Sequence, residues 1–314
     1  PRAMASGSTK AILAAMFANG GIAIAKFVAY LFTSSSSMLA ESIHSVADTS
    51  NQALLLLGNR QAKKHATAEH PFGYGRERYF WSFVVALVLF SLGGLFAIYE
   101  GWHKLGDTEH GVSNVGWAIG VLLLGIVLEG WSFRTAIVES RPLKGGSSWW
   151  EFIRHSRTPE LPVVLLEDFG ALTGLVLALV GVSVAAITGD ARWDAYGTIS
   201  IGVLLVVIAA ILVFEMKSLL IGESARAPMR KKIVEAIEST EGLSVVLDLR
   251  TQHVGPDQLL VGAEVEVDAE LSADEVAAAI DCAEAKIREI VPIAKMIYIE
   301  PEIPDDEPGL VDRD

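Results

Sequence analysis

His44 and Asp48 lie four residues apart in Ser37-Met38-Leu39-Ala40-Glu41-Ser42-Ile43-His44-Ser45-Val46-Ala47-Asp48-Thr49-Ser50-Asn51-Gln52, a polar stretch that runs on into Ala53 and four leucines. In a helix, residues at this spacing sit about 40° apart around the axis and about 6 Å apart along it. The imidazole and the carboxylate then point the same way, as two ligands of one metal ion must. Each costs on the order of a few kcal/mol at membrane depth, so a buried cavity or a function has to account for it. The stretch alone also fits a polar seam between helices, with His44 hydrogen bonded to a neighbouring hydroxyl.

A second set of acids is expected to face the first. Glu167-Asp168 follows Val163-Val164-Leu165-Leu166 and precedes a long apolar run. Adjacent helical residues diverge by about 100°, so one should ligate while the other bonds a neighbouring helix. Asp168 is the first expectation for the ligand and Glu167 the second. Glu129, deep in another apolar span, is a candidate ligand, proton carrier or partner of Lys26. Glu41 is expected to be solvated near the start of its helix and to line the mouth of a cavity. Asn19 and Lys26 interrupt the first apolar run, and Lys26 should snorkel or pair with an acid on the next helix. An imidazole and carboxylate set without thiolate suits zinc first, then iron, cobalt or manganese. Protons compete for the same atoms, because the metal needs a neutral imidazole and ionised carboxylates. A site open to one side at a time would thus exchange metal for protons, with histidine's ordinary pKa of about 6.5 in the useful range.

The elements that must hold these residues are membrane helices. Half of the 314 residues are apolar, 51 %, and mean hydropathy is positive, which places the chain among polytopic membrane proteins. Six spans of about the ~20 residues a bilayer requires are expected at 11–32, 38–57, 80–102, 115–138, 161–187 and 193–216. Pro71 with Gly73 and Gly75 breaks the chain between the second and third. Trp149, Trp150, Phe152 and Ile153 beside Arg154 and Arg157 suggest a short helix in the membrane interface. Lys and Arg cluster after the second, fourth and sixth spans, so both termini are expected in the cytoplasm.

From about Gly222 the pattern is that of an αββαβ domain: a helix opened by Pro228, strands over 244–254 and 259–268, a helix from the capping box Ser272-Ala273-Asp274-Glu275, and a strand over 293–300. The expected organisation is a disordered N-terminus with a cloning remnant (1–10), a six-helix transmembrane domain (11–220), a small α+β, ferredoxin-like cytoplasmic domain (221–303) and an acidic tail (304–314). No cleavable signal peptide is expected. The net charge of −13, its acid concentrated in the last third, argues against nucleic acid, and the single Cys282 excludes an intrachain disulfide or a thiolate cluster.

With Ser42-Ile43-His44-Ser45-Val46-Ala47-Asp48 in span two, His70-Pro71-Phe72-Gly73-Tyr74-Gly75 in the next loop and the αββαβ domain, the chain resembles the cation diffusion facilitators over nearly its whole length. Phe152-Ile153-Arg154-His155-Ser156 leading to Leu165-Leu166-Glu167-Asp168 is similar to the branch that includes a mitochondrial zinc transporter of animals. The resemblance implies proton-coupled efflux of divalent cations by a homodimer that alternates between inward- and outward-open states. It also marks departures. If Asp168 takes the place of the family's fifth-span aspartate, Val164 stands at its histidine, and the site loses an imidazole unless Glu167 or Glu129 substitutes. In the loop, His70 (with His65 nearby) is retained while Tyr74 and Thr67 replace the other ligands of a secondary site, which is expected to be weak or absent. In the cytoplasmic domain Leu247, Ala263 and Tyr298 replace ligands, Glu300 alone keeps a ligand type, and His253 is expected at the surface.

The sequence therefore points to a proton-coupled antiporter exporting a divalent cation, with zinc first. Its expected setting is a bacterial cell membrane, in contact with lipid, and it is expected to dimerise through the C-terminal domain and the membrane helices. A non-transporting metal-binding regulator is the alternative. An intramembrane metallohydrolase lacks His-Glu-x-x-His, a second intramembrane histidine and a nucleophile beside a base, so an enzyme is not expected.

Overall fold

The computed structural model describes residues 20–106, 114–156 and 158–303, so Asn19, Arg157 and the acidic tail lie outside the described residues. The chain forms two compact units, Pro1–Gln61 with Glu77–Lys217 and Ala62–Arg76 with Ser218–Asp314. The division differs from a simple break at 220, because the loop between the second and third spans packs with the C-terminal unit.

Helices stand at the positions of all six expected spans: α1 Gly20–Thr33, α2 Ser36–Gln61, α3 Glu77–Gly106, α4 Val115–Lys144, α6 Glu160–Thr188 and α7 Arg192–Ile221, with the short α5 Trp149–His155 between α4 and α6. Among the described residues, α3, α4, α6 and α7 are long and apolar enough to cross a bilayer. Helix α1 is described from Gly20 onward, and α2 has the length but carries the polar face noted above. The helices overrun the predicted spans because hydropathy marks only the apolar stretch, whereas backbone hydrogen bonding carries a helix on into its polar flanks. Their shared core includes Met38, Val85, Leu122, Leu175, Ile201 and Leu205. In α5, Phe152 is buried against Ala136 and Leu165.

Two local features were not predicted. The middle of α3, Leu89–Leu95, is a π-helical segment. It carries Gly93-Gly94 against α7, where a Cβ on Gly94 would stand 2.7 Å from Val206 and one on Gly202 would stand 2.6 Å from Ile98. Small residues here let two helix backbones meet. The second is a polar knot at the start of α2. Asp194, fully buried on α7, accepts from Ser35 Oγ (2.9 Å) and from the Ser36 backbone N–H (2.8 Å) and hydroxyl (3.1 Å). Thr198 Oγ1 lies 3.0 Å from the hydroxyls of both Ser36 and Ser37. The serine run thus satisfies a helix N-terminus that water does not reach. Asp194→Ala would leave the Ser35 hydroxyl and the Ser36 N–H without their buried acceptor, at about 1–3 kcal/mol each. We expect a loss of roughly 3 kcal/mol or more, read as a lower thermal unfolding midpoint in detergent, with Thr198→Val costing less.

The C-terminal unit has the expected αββαβ order: α8 Ala227–Glu238, β1 Leu243–Gly255, β2 Gln258–Val267, α9 Ala273–Ile290 and β3 Ala294–Glu302. The sheet order is β1-β2-β3, with β1 antiparallel and β3 parallel to the central β2. Strand β2 buries Leu259, Val261, Ala263, Val265 and Val267 against Ile233 and Ile237 of α8 and Ala283 and Ile287 of α9. The capping box forms as read. Ser272 Oγ accepts from the Glu275 N–H, and the Glu275 carboxylate accepts from the Ser272 N–H at 2.8 Å. The Ser272 hydroxyl, which donates to the Glu275 carboxylate at 2.7 Å, and then the Ser272 N–H hold that carboxyl below its ordinary range. His253, expected at the surface, is buried, because the chain around Glu223 runs alongside β1 and the Glu223 carbonyl accepts the His253 N–H (2.9 Å).

Candidate metal centre

The site is built on α2 in successive turns. His44 is 1 % exposed, and neither ring nitrogen has a hydrogen-bond partner. One turn on, Asp48 Oδ1 lies 3.6 Å from His44 Nδ1, beyond hydrogen-bonding distance, and is also unpartnered. Asn51 follows on the same face. Its Nδ2 donates to Glu167 Oε1 on α6 at 3.0 Å, which leaves its own Oδ1 without a partner. The Glu167 carboxyl is also close enough to Asp48 for the two groups to act on each other. Buried polar atoms are nearly always paired, so three neighbouring residues with idle lone pairs need an explanation. The unpartnered carboxylate and amide oxygens can only accept, and a neutral imidazole keeps one lone pair, so a cation would satisfy all three at once.

The α6 pair divides as helical geometry requires, but in the reverse sense to the first expectation. Glu167 reaches Asn51 and Asp48, whereas Asp168 accepts from Ser132 Oγ on α4 (3.0 Å). Asp168, the first expectation for the ligand, is thus turned toward a different helix. Among the described residues no three His, Asp, Glu or Cys side chains already stand at the mutual distances of a closed metal site. A cation bound here needs the side chains of His44, Asp48 and Glu167 to draw together around it.

Glu41 differs from expectation. It is fully buried rather than solvated, and its Oε2 accepts from Lys26 Nζ of α1 at 2.9 Å. Lys26 also donates to Ser45 Oγ (2.8 Å). The ammonium supplies the counter-charge that lets a carboxylate stay away from water, which the position of Glu41 near a helix start did not reveal. Lys26 thus pairs with Glu41, not Glu129. Glu129 is buried on α4, close enough for its charge to act on Lys26, Glu41, Asp48 and Glu167. Sequence reasoning passed over Asn51. Its signal was the Asp48-Val/Ala-free run Thr49-Ser50-Asn51, which places an amide three residues after a candidate ligand on the same helical face.

In the loop, the positions of the secondary site do gather, but with other chemistry. Thr67 Oγ1 lies 3.3 Å from Tyr74 Oη, and the His70 ring packs edge-on against Tyr74 with centroids 4.7 Å apart. His65 is exposed on the same loop.

Residues 12–221 match the family described as the cation efflux transmembrane domain, and residues 226–302 match the cation efflux protein cytoplasmic domain. The chain belongs to the cation efflux family. This is a family of membrane transporters, not of enzymes, and it makes the chain an integral membrane protein. Relatives include the Mus musculus "Proton-coupled zinc antiporter SLC30A9, mitochondrial", 30 % identical over 264 residues that span 83 % of this chain and 46 % of the relative. Metal tolerance protein C4 of Arabidopsis thaliana is 29 % identical over 84 % of this chain and 58 % of its own length. The magnetosome protein MamM of Magnetospirillum gryphiswaldense is 24 % identical over 83 % and 78 %. The chain spans less than half the length of the animal relatives it matches. Those animal proteins are named mitochondrial, which gives the expected bacterial cell membrane no support.

Proposed function

We propose that this chain is a proton-coupled secondary transporter that exports a divalent cation, zinc first, from the cytoplasm. The observation that carries this reading is the row His44, Asp48 and Asn51 on one face of α2, its lone pairs idle, with Glu167 of α6 bonded to Asn51 at the end of the row. Nitrogen and oxygen donors without thiolate favour zinc, with iron, cobalt and manganese as competitors. Residues 11–220 would form the transport body and 221–303 a cytoplasmic platform, with both termini in the cytoplasm. A homodimer would form through that platform, whose strands leave Val245, Leu247 and Tyr298 exposed, and through the lipid-embedded helices. The animal relatives' names, which print a proton-coupled zinc antiporter, support the same reading.

The test is the purified chain in sealed vesicles holding a pH-sensitive dye. A zinc gradient should drive protons the opposite way. Zinc that binds without moving protons would contradict antiport and leave the chain as a regulator. Binding itself should weaken as pH falls. Protons occupy the imidazole and carboxylates that zinc needs, so affinity is highest above the histidine range and is lost progressively below it. Titration calorimetry at pH 8, 7 and 6 reads this directly, and a flat profile would contradict the ligand set.

A further inference from the structure

Among the described residues, Lys26–Glu41 is a fully buried ion pair that the proposed transport cycle leaves unused. Both side chains are at most 1 % exposed, in the helical unit, one turn from His44. Lys26 bridges Glu41 and Ser45, residues four apart on α2, so its ammonium lies along the same helix as the idle lone pairs. It is close enough for its charge to act on His44, Asp48 and Glu129. Only one Glu41 oxygen is engaged. Oε1 has no partner and rests against Gly174 of α6, where a Cβ would come within 2.7 Å of it. A carboxylate with one oxygen idle, next to a row of cation-seeking atoms, would itself be a ligand if nothing held it.

We propose that Lys26 is a built-in counter-charge that withholds Glu41 from the permeating cation and so sets the charge of the site. The inference rests on the reading of His44, Asp48 and Glu167 as the cation site. With Lys26 in place, Glu41 contributes no net charge, and Asp48 and Glu167 present two negative charges to a dication. Without Lys26, a third carboxylate comes into range and the balance shifts toward tighter, oxygen-rich binding. Oxygen ligation favours harder ions, so manganese should gain more than zinc. Lys26 is thus a specificity-determining residue acting through Glu41, not a ligand.

The test is titration calorimetry of the full purified chain with Zn²⁺ and with Mn²⁺, alongside flux in vesicles. Lys26→Met should tighten Zn²⁺ binding at least about tenfold and Mn²⁺ binding more, because an added unit charge acts strongly in a low-dielectric site. Glu41→Gln leaves the ammonium unpaired beside the site and should weaken both at least about tenfold on the same ground. The double variant Lys26→Met with Glu41→Gln should return to within about threefold of wild type, since it restores the same net charge. A pair serving only to hold helices together would move both single variants in one direction, and that result overturns the proposal. If a single variant fails to fold, the double variant decides: binding tenfold or more from wild type in either direction overturns it. The two readings fail separately. A wild type that binds zinc and moves none, with opposite shifts in the single variants, sinks transport and keeps the inference. A wild type that transports, with Lys26→Met unchanged in metal binding, does the reverse.

Discussion

His44→Ala and Asp48→Ala are each expected to cut zinc-driven proton movement in vesicles by about 100-fold or more. Loss of a residue that only orients a metal ligand costs about 10- to 100-fold, so loss of a ligand should lie at or beyond the upper end. The structure gives a reason to expect that the His44 variant still folds. Its ring nitrogens make no hydrogen bond, so truncating the side chain orphans no partner and leaves a cavity as the main cost. Asp48→Asn keeps the volume of the Asp48 side chain and removes its charge, and it should lose transport as Asp48→Ala does. Thermal unfolding in detergent and the elution volume of the purified protein serve as controls. Variants that are folded but still transport at wild-type rates would remove the α2 face from the mechanism.

The second large effect separates two neighbours. Glu167→Gln should weaken zinc binding about 100-fold, whereas Asp168→Asn should stay within about threefold of wild type, since only a ligand and its close supports carry such losses. Glu167 faces Asn51 and Asp48, and Asp168 is engaged by Ser132 on α4. The amide of a Gln at 167 could still bond Asn51, so the loss would report the missing charge and not a broken helix contact. Asn51→Ala should fall between the two, near tenfold, because it removes the group that holds Glu167 in place. The opposite ranking, with Asp168→Asn the more damaging, would mean that α6 turns about 100° to present its other acid to the cation.

Much of this was legible in the sequence because it depends on periodicity and composition. The spans, the αββαβ order and the Ser272–Glu275 capping box follow from local rules, and β2 buries the alternate residues that its pattern marks. His44 and Asp48 share a face because helix geometry fixes residues four apart. What the sequence did not settle lies in contacts between distant residues. Which of two adjacent acids faces α2 depends on the rotation of α6, which a nearly uniformly apolar helix does not encode. Glu41 read as solvated because its counter-ion sits 15 residues away on another helix. The serine run before Met38 gained its meaning only from Asp194, 158 residues beyond Ser36. The π-helical segment in α3 carries no signal in hydropathy, although Gly93-Gly94 marks where it approaches α7.

The most direct test is a structure of the zinc-soaked protein with anomalous signal collected at the zinc edge. The account predicts a peak between α2 and α6, about 2.0–2.2 Å from a His44 ring nitrogen and from carboxylate oxygens of Asp48 and Glu167. A transport-competent sample whose only peaks lie in the loop around His70 or elsewhere outside the helices would contradict it.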